Sequence, residues 1–219
     1  MLEERITLLK KEITEFAALV DGMIEKATQG LLRREKENLA TILSEDEPKA
    51  NEFEIRLDEH CTVLIAQNQP AASDLRTILM IAKMSKDLER MGDHAVNIAE
   101  SGLYLIERPA VKPLLDIPKM AQETAKMLGD SIEAFINEDV RLAQEVCRRD
   151  NVVDDLRDQI YRELITYMVS DSTTIERSLH LMRIASNLER IADLSTNIGE
   201  DVIFMVEGRV IKHHKEEKK

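Results

Sequence analysis

Leu88-Glu89-Arg90-Met91-Gly92-Asp93, followed by Asn97, Ile98 and Glu100, returns one hundred positions later as Leu188-Glu189-Arg190-Ile191-Ala192-Asp193, followed by Asn197, Ile198 and Glu200. Two copies of one acidic helical signature at a fixed offset mean a duplicated helical unit. The surrounding sequence fits that reading. A third of the 219 residues are charged, aromatics are 3%, tryptophan is absent, and seven glycines and five prolines leave long stretches uninterrupted. This is the composition of long helices, in a chain long enough to bury two cores of about 100 residues each.

Outward from the first copy, Ile6, Leu9, Ile13, Phe16, Val20, Met23, Ile24, Ala27, Leu31, Leu39 and Ile42 keep three- and four-residue spacing. The pattern predicts one long amphipathic helix, weakened but not ended by Gly22 and Gly30. Ser44-Glu45-Asp46-Glu47-Pro48 predicts a turn into a second helix that ends near Gln67–Pro70. A third runs from about Ala72 to Glu107, and Arg108-Pro109-Ala110-Val111-Lys112-Pro113 breaks it. The order then repeats. A fourth helix spans Ile117 to Val146, Asp150-Asn151 turns into a fifth that reaches Met168, and Ser170–Thr174 caps a sixth that ends near Gly208. No segment alternates with period two. The expected fold is all-α, two tandem antiparallel three-helix bundles over 1–108 and 113–208, with a charged tail at 209–219 carrying His213 and His214.

With Leu88 at zero and about 100° per residue, Glu89, Asp93, Asn97 and Glu100 fall at roughly 100°, 140°, 180° and 120°, one strip along three turns. The same azimuth passes through Leu75, Leu79 and Ala82 upstream, and through Ile175, Leu179 and Met182 before the second copy. The strip is therefore expected to start as core and turn acidic at a helix seam. Acids one turn apart repel, so each copy needs an offset. Lys86 is a candidate in the first copy, where the second has Ser186, while Arg90 and Arg190 point beyond the strip. The other candidate is a multivalent cation, since carboxylate and amide oxygens suit Mg²⁺, Mn²⁺, Ca²⁺ and Fe³⁺. The second helix could add Glu54 and Asp58, and the fifth Asp154 and Asp158.

Other function classes fit less well. Forty-two acids against 30 basic residues, a net charge of −12, exclude a nucleic-acid binder, and no basic patch is available for a membrane surface. Met1–Arg5 enters an amphipathic pattern directly, without the basic and apolar regions of an export signal, and no apolar run reaches the roughly 20 residues of a membrane span. A cytoplasmic protein is expected. Cys61 and Cys147 belong to no paired-Cys motif and read as small reduced core thiols. A carboxylate-bridged di-metal enzyme would need Glu-x-x-His, but that position holds Gly92 and Ala192, so no catalysis is expected. A metal-free helical adaptor, its acids holding a partner's Lys and Arg, remains an alternative.

Asn68-Gln69-Pro70-Ala71-Ala72-Ser73-Asp74-Leu75-Arg76, Leu88–His94, Thr166-Tyr167-Met168 with Asp171-Ser172, and Leu188–Asp193 with Asn197-Ile198 resemble the PhoU family of bacterial phosphate-specific transport accessory proteins. The resemblance covers nearly the whole chain. It implies a cytoplasmic homodimer of paired three-helix bundles. Such proteins negatively modulate phosphate uptake by contact with the ATP-binding subunit of the phosphate ABC transporter and with the phosphate sensor histidine kinase. It further implies a Glu/Asp-x-x-x-Asp metal motif in each half, here Glu89 with Asp93 and Glu189 with Asp193, associated with iron, zinc, manganese or magnesium. Ala192 and Leu194 replace Gly92 and His94 in the second copy, so the two sites need not be equal.

Overall fold

The computed structural model describes residues 2–208; the tail expected at 209–219 lies outside them. The described residues form α1 (Leu2–Arg33), α2 (Lys36–Thr41), a π turn (Ile42–Asp46), α3 (Glu47–Asn68), α4 (Ala72–Ile106), α5 (Asp116–Asn137), α6 (Val140–Ser170), a 3-10 turn (Ser172–Thr174) and α7 (Ile175–Glu207). The segments from α2 to α3 follow one another without a break, so the architecture is six helical rods in two three-helix bundles. One bundle packs α1, α3 and α4, the other α5, α6 and α7, and the halves join along α4 against α7 and α1 against α5. Among the described residues there is no strand, and no helix is long and apolar enough to cross a membrane.

Both first hairpins turn about a dozen residues before the expected positions. The chain reverses at Arg34 and Glu35, with Arg34 at φ 57°, and not at Ser44–Pro48. In the second half it reverses at Glu138 and Asp139, with Glu138 at φ 55°, and not at Asp150-Asn151. In both cases the helices flanking the turn each bury an apolar stripe, so the three- and four-residue spacing runs across the reversal. The left-handed corner residues are Arg and Glu, where glycine would have announced the turn. Asp139 then caps α6, its Oδ1 accepting from the amides of Arg141 and Leu142.

Ser44–Pro48 therefore lies inside a rod. Proline at 48 has no amide to give, and its ring crowds the carbonyl four residues back. The helix widens locally instead of ending: the Glu47 amide bonds to the Ile42 carbonyl, five residues back, as a π turn requires. Asp46 is buried in that turn and pairs with Lys26 Nζ of α1 at 2.6 Å. Gly30 has a packing role. A Cβ there would stand 2.7 Å from the Leu39 side chain, and one at Gly102 would stand 3.1 Å from it, so fully buried Leu39 fits a notch cut by glycines of α1 and α4.

The joint between the halves is tied by charge. Arg34 donates to the carbonyls of Ile106 and Arg108, Arg177 donates to that of Pro109, and buried Lys112 pairs with Asp116 and Glu163. α7 stops at Gly208, φ 69°, whose amide bonds to the Phe204 carbonyl.

These corners make a test. Gln69 ends α3 at φ 44°. Relief of left-handed strain in Gln69→Gly should raise stability by about 0.5–1 kcal/mol, the strain gain exceeding the added unfolded-state entropy. Arg34→Gly gains the same relief but loses two hydrogen bonds from a charged donor, and should lose about 1 kcal/mol. Urea unfolding of the two variants checks the opposite signs.

Candidate functional site

The buried arc of α4 runs through Ile78, Ile81, Met84, Leu88, Met91, Ala95 and Ile98, and α7 repeats it with Leu181, Ile184, Leu188, Ile191 and Ile198. The acidic strip lies at the edge of this arc. Consequently Leu79 and Leu179, expected to lead into it as core, are 46% and 54% exposed, and Ile175 is exposed as well. Glu89 and Glu189, nearest the arc, are half-buried, while Asp93, Asn97, Asp193 and Asn197 are exposed. The two strips are not separate surfaces. Asp93 and Asn97 from α4 and Asp193 and Asn197 from α7 line one open groove of about 420 Å³ at the seam, together with Arg90 and Arg190.

On the first ridge, burial raises the Glu89 carboxyl above its ordinary pKa, and the charges of Asp93 and then Glu54 raise it further. Glu54 thus reaches the ridge from α3. Among the described residues none pairs with Glu54, Glu89 or Asp93: Lys86 and Arg90 act on Glu89 only at longer range, and Arg90 lies 3.5 Å from Asp87 instead. The donor chemistry, carboxylate oxygens whose repulsion is left standing, fits a hard multivalent cation. The side chains as they stand do not converge on one: among the described residues no group of three or more His, Cys, Asp or Glu is arranged to hold a metal ion.

The second ridge carries its cation within the chain. Arg157 of α6 places Nη1 2.5 Å from Glu189 Oε1 and 3.1 Å from Asp154 Oδ1, and Nη2 3.0 Å from Asp158 Oδ1. Even so, burial leads in raising Glu189 and Asp193 above the ordinary carboxylate range, with Asp193 and Asp154 respectively the next contributors. The sequence contained this signal in the three-residue spacing of Asp154 and Arg157, which reading the acids alone passes over.

Several expected members stand elsewhere. Exposed Asp58 acts on the Cys61 thiol, and Glu200 on Cys147. Glu100 is exposed, and the Asn97 amide is turned to the Asp93 carbonyl. Cys61 and Cys147 are free thiols, pushed by burial up to about 12 and about 11, and so are poor nucleophiles.

On the opposite side of α4 from Glu89, the seam differs between its ends. Asp87 is buried near Asp201, which pairs with Lys83 at 2.5 Å; the equivalent position in α7 is Asn187, whose Oδ1 lies 2.9 Å from His94 Nδ1. Burial first, and the Asp201 charge second, push Asp87 up to about 6.

Duplicated three-helix bundles, joined along a seam edged by two acidic ridges and holding inert thiols, define a tandem-repeat helical scaffold. Comparison with known proteins gives that class a family. The PhoU domain matches residues 13–102 and 117–202. A phosphate-specific transport system accessory protein PhoU homolog of Aquifex aeolicus is 40% identical over 204 residues, 93% of this chain and 92% of that protein. The crystal structure of PhoU from Pseudomonas aeruginosa superposes with a TM-score of 0.91 at 31% identity, covering 95% of this chain and all of that one. The phosphate transport system regulatory protein PhoU from Streptococcus pneumoniae does so at 0.90 and 26%, covering 97% of this chain. The chain belongs to the PhoU family, whose members are transport-system accessory and regulatory proteins and not enzymes.

Buried Asp87 sets a pH dependence. Its folded pKa lies above the unfolded value, so the stability it contributes is present below about pH 4 and is lost as pH rises through about 6. Asp87→Asn, the residue the second half uses, should flatten that decline. Above pH 7 the variant should be more stable than the parent by on the order of 2–3 kcal/mol. Urea unfolding at pH 5 and pH 8 reads both effects.

Proposed function

We propose that this chain is a cytoplasmic negative regulator of phosphate uptake and phosphate-responsive signalling, working as a homodimer. It acts by direct contact with the ATP-binding subunit of a phosphate ABC transporter and with a phosphate sensor histidine kinase. Its regulatory role rests on likeness to phosphate transport accessory proteins along nearly the full length of both chains. Accessible apolar side chains at Leu79, Leu179 and Ile175, on the same two helices that line a groove of mixed charge, are of the kind that protein contact uses.

Metal binding is part of the proposal, and the uncompensated Glu54, Glu89 and Asp93 carry it. A bound iron, zinc, manganese or magnesium ion would neutralise these carboxylates and stiffen the face beside the groove. Asn97, one turn beyond Asp93, extends that ridge, while Asp58 and Glu100 stand apart from it at exposed positions of α3 and α4. Glu54 stands on α3 and Glu89 and Asp93 on α4, so an ion drawing Glu54 toward Glu89 would tighten that pair of helices. The absence of a converged set of ligands favours a second reading, in which the ridge meets a partner's Lys and Arg without metal.

The double substitution Glu89→Gln with Asp93→Asn separates the readings. Titration with Mn²⁺ should show at least tenfold weaker binding at the first ridge, while capture of the purified ATP-binding subunit by the apo protein is unchanged. Loss of that capture in chelator would favour the metal-free adaptor, and no capture by the parent protein at all would remove the regulatory contact proposed here.

A further inference from the structure

The duplicated sequence leads one to expect the same ion chemistry twice, since Glu189 and Asp193 repeat Glu89 and Asp93. The structure treats the two ridges differently. A single guanidinium, Arg157, reaches three carboxylates from two helices, Glu189 of α7 and Asp154 and Asp158 of α6. Its side chain is 26% exposed, and Glu189 is 17% exposed, so the contact is shielded from bulk water on much of its surface. On the first ridge no basic side chain among the described residues is ion-paired with Glu54, Glu89 or Asp93, and Arg90 and Lys86 act on Glu89 only at longer range.

We propose that Arg157 is a built-in cation that closes the second ridge to metal, leaving the two halves of the chain unequal in ion binding. The inference rests on the metal reading given above for the first ridge. A guanidinium stays protonated at any working pH, so it cannot give way by losing its charge as a lysine or histidine could. A divalent ion placed on Glu189 and Asp154 would sit a few ångströms from that fixed positive charge, and it would have to displace the charge-assisted hydrogen bond from Arg157 to Glu189 and its ion pair with Asp154 before binding. The planar fork also holds α6 to α7 as a bridging ion would, so the second half keeps its helix pairing without a variable ligand. The first half has no such internal tie and responds to metal supply.

The test counts Mn²⁺ sites by calorimetry and by the loss of the free-ion electron paramagnetic resonance signal, in the full chain and in Arg157→Gln. Circular dichroism first establishes that the variant is helical. The parent should show one class of site, lost in Glu89→Gln with Asp93→Asn. Arg157→Gln should add a second class, doubling the ion count, and this class should vanish when Glu189→Gln and Asp193→Asn are added. Its melting temperature should be lower than the parent's in chelator and recover in Mn²⁺. Arg157→Lys, which keeps the charge, should retain the single class. Two classes in the parent, each lost with its own ridge, or an unchanged count in Arg157→Gln would overturn the assignment while leaving metal binding intact. No binding by either protein would remove both the assignment and the metal reading, whereas binding by Arg157→Gln alone would support Arg157 as the closing cation and remove the first ridge.

Discussion

The packing of α4 against α7 is the constraint on which the rest of this molecule depends. These helices carry the two copies of the signature, and their apolar arcs face both their own bundles and each other. A helix that must bury most of its circumference has little room for carboxylates. Those of the acidic strips are pushed to the margin of the arc and are half-buried at best, while Asp87 and Asp201 are buried on the other side. This is why Glu89, Glu189 and Asp193 are raised on their ridges, with burial ahead of any neighbouring charge as the cause. The acid ridges and the groove between them follow from one packing arrangement.

Periodicity made the rods and their order legible, because an apolar stripe of fixed spacing has one economical structure. It did not make the first hairpins legible. A stripe continues across a reversal when both helices face the same core, and the corner residues Arg34 and Glu138 are not those that composition flags. Pro48 misled for a related reason, since a π turn lets a rod carry a proline with one hydrogen bond re-routed. The site was legible as a pair of strips. Its environment was not: Leu79 and Leu179 share the strip's azimuth, but an azimuth states direction and says nothing of how wide an arc the neighbours cover. Same-helix spacing offers Lys86 as a candidate counterion for the first copy and none for the second, where Ser186 stands. The pairing that forms crosses from α6 to α7.

Duplication fixes backbone placement in both halves, but it does not fix how charge is balanced there. Asp87 has Asn187 as its counterpart, and the two ends of the seam accordingly use different chemistry, a buried acid beside Asp201 and Lys83 at one end and an amide bonded to His94 at the other. A buried carboxyl with a pKa near 6 costs stability at neutral pH, and the neutral amide at the matching place avoids that cost. Both side chains are buried to the same extent, so the fold accepts either at this place. Divergence is therefore least expensive at polar positions along the seam, where changing one atom type alters ionisation without altering shape.

The same argument bears on the ridges. Two carboxylates one turn apart at a half-buried edge are a fixed electrostatic load, and a chain can offset it with a side chain or leave it for something from solution. An internal arginine offers constant neutralisation, independent of conditions, and suits a half whose task is to hold its shape. An open ridge leaves the load in place until a cation or a basic partner arrives, so its helices are held to one another conditionally. A regulatory scaffold needs both properties, and one duplicated unit with a single arginine on α6 can supply them from the same backbone. The difference between the halves would then lie in how each balances its charge, on helices that pack alike along the seam.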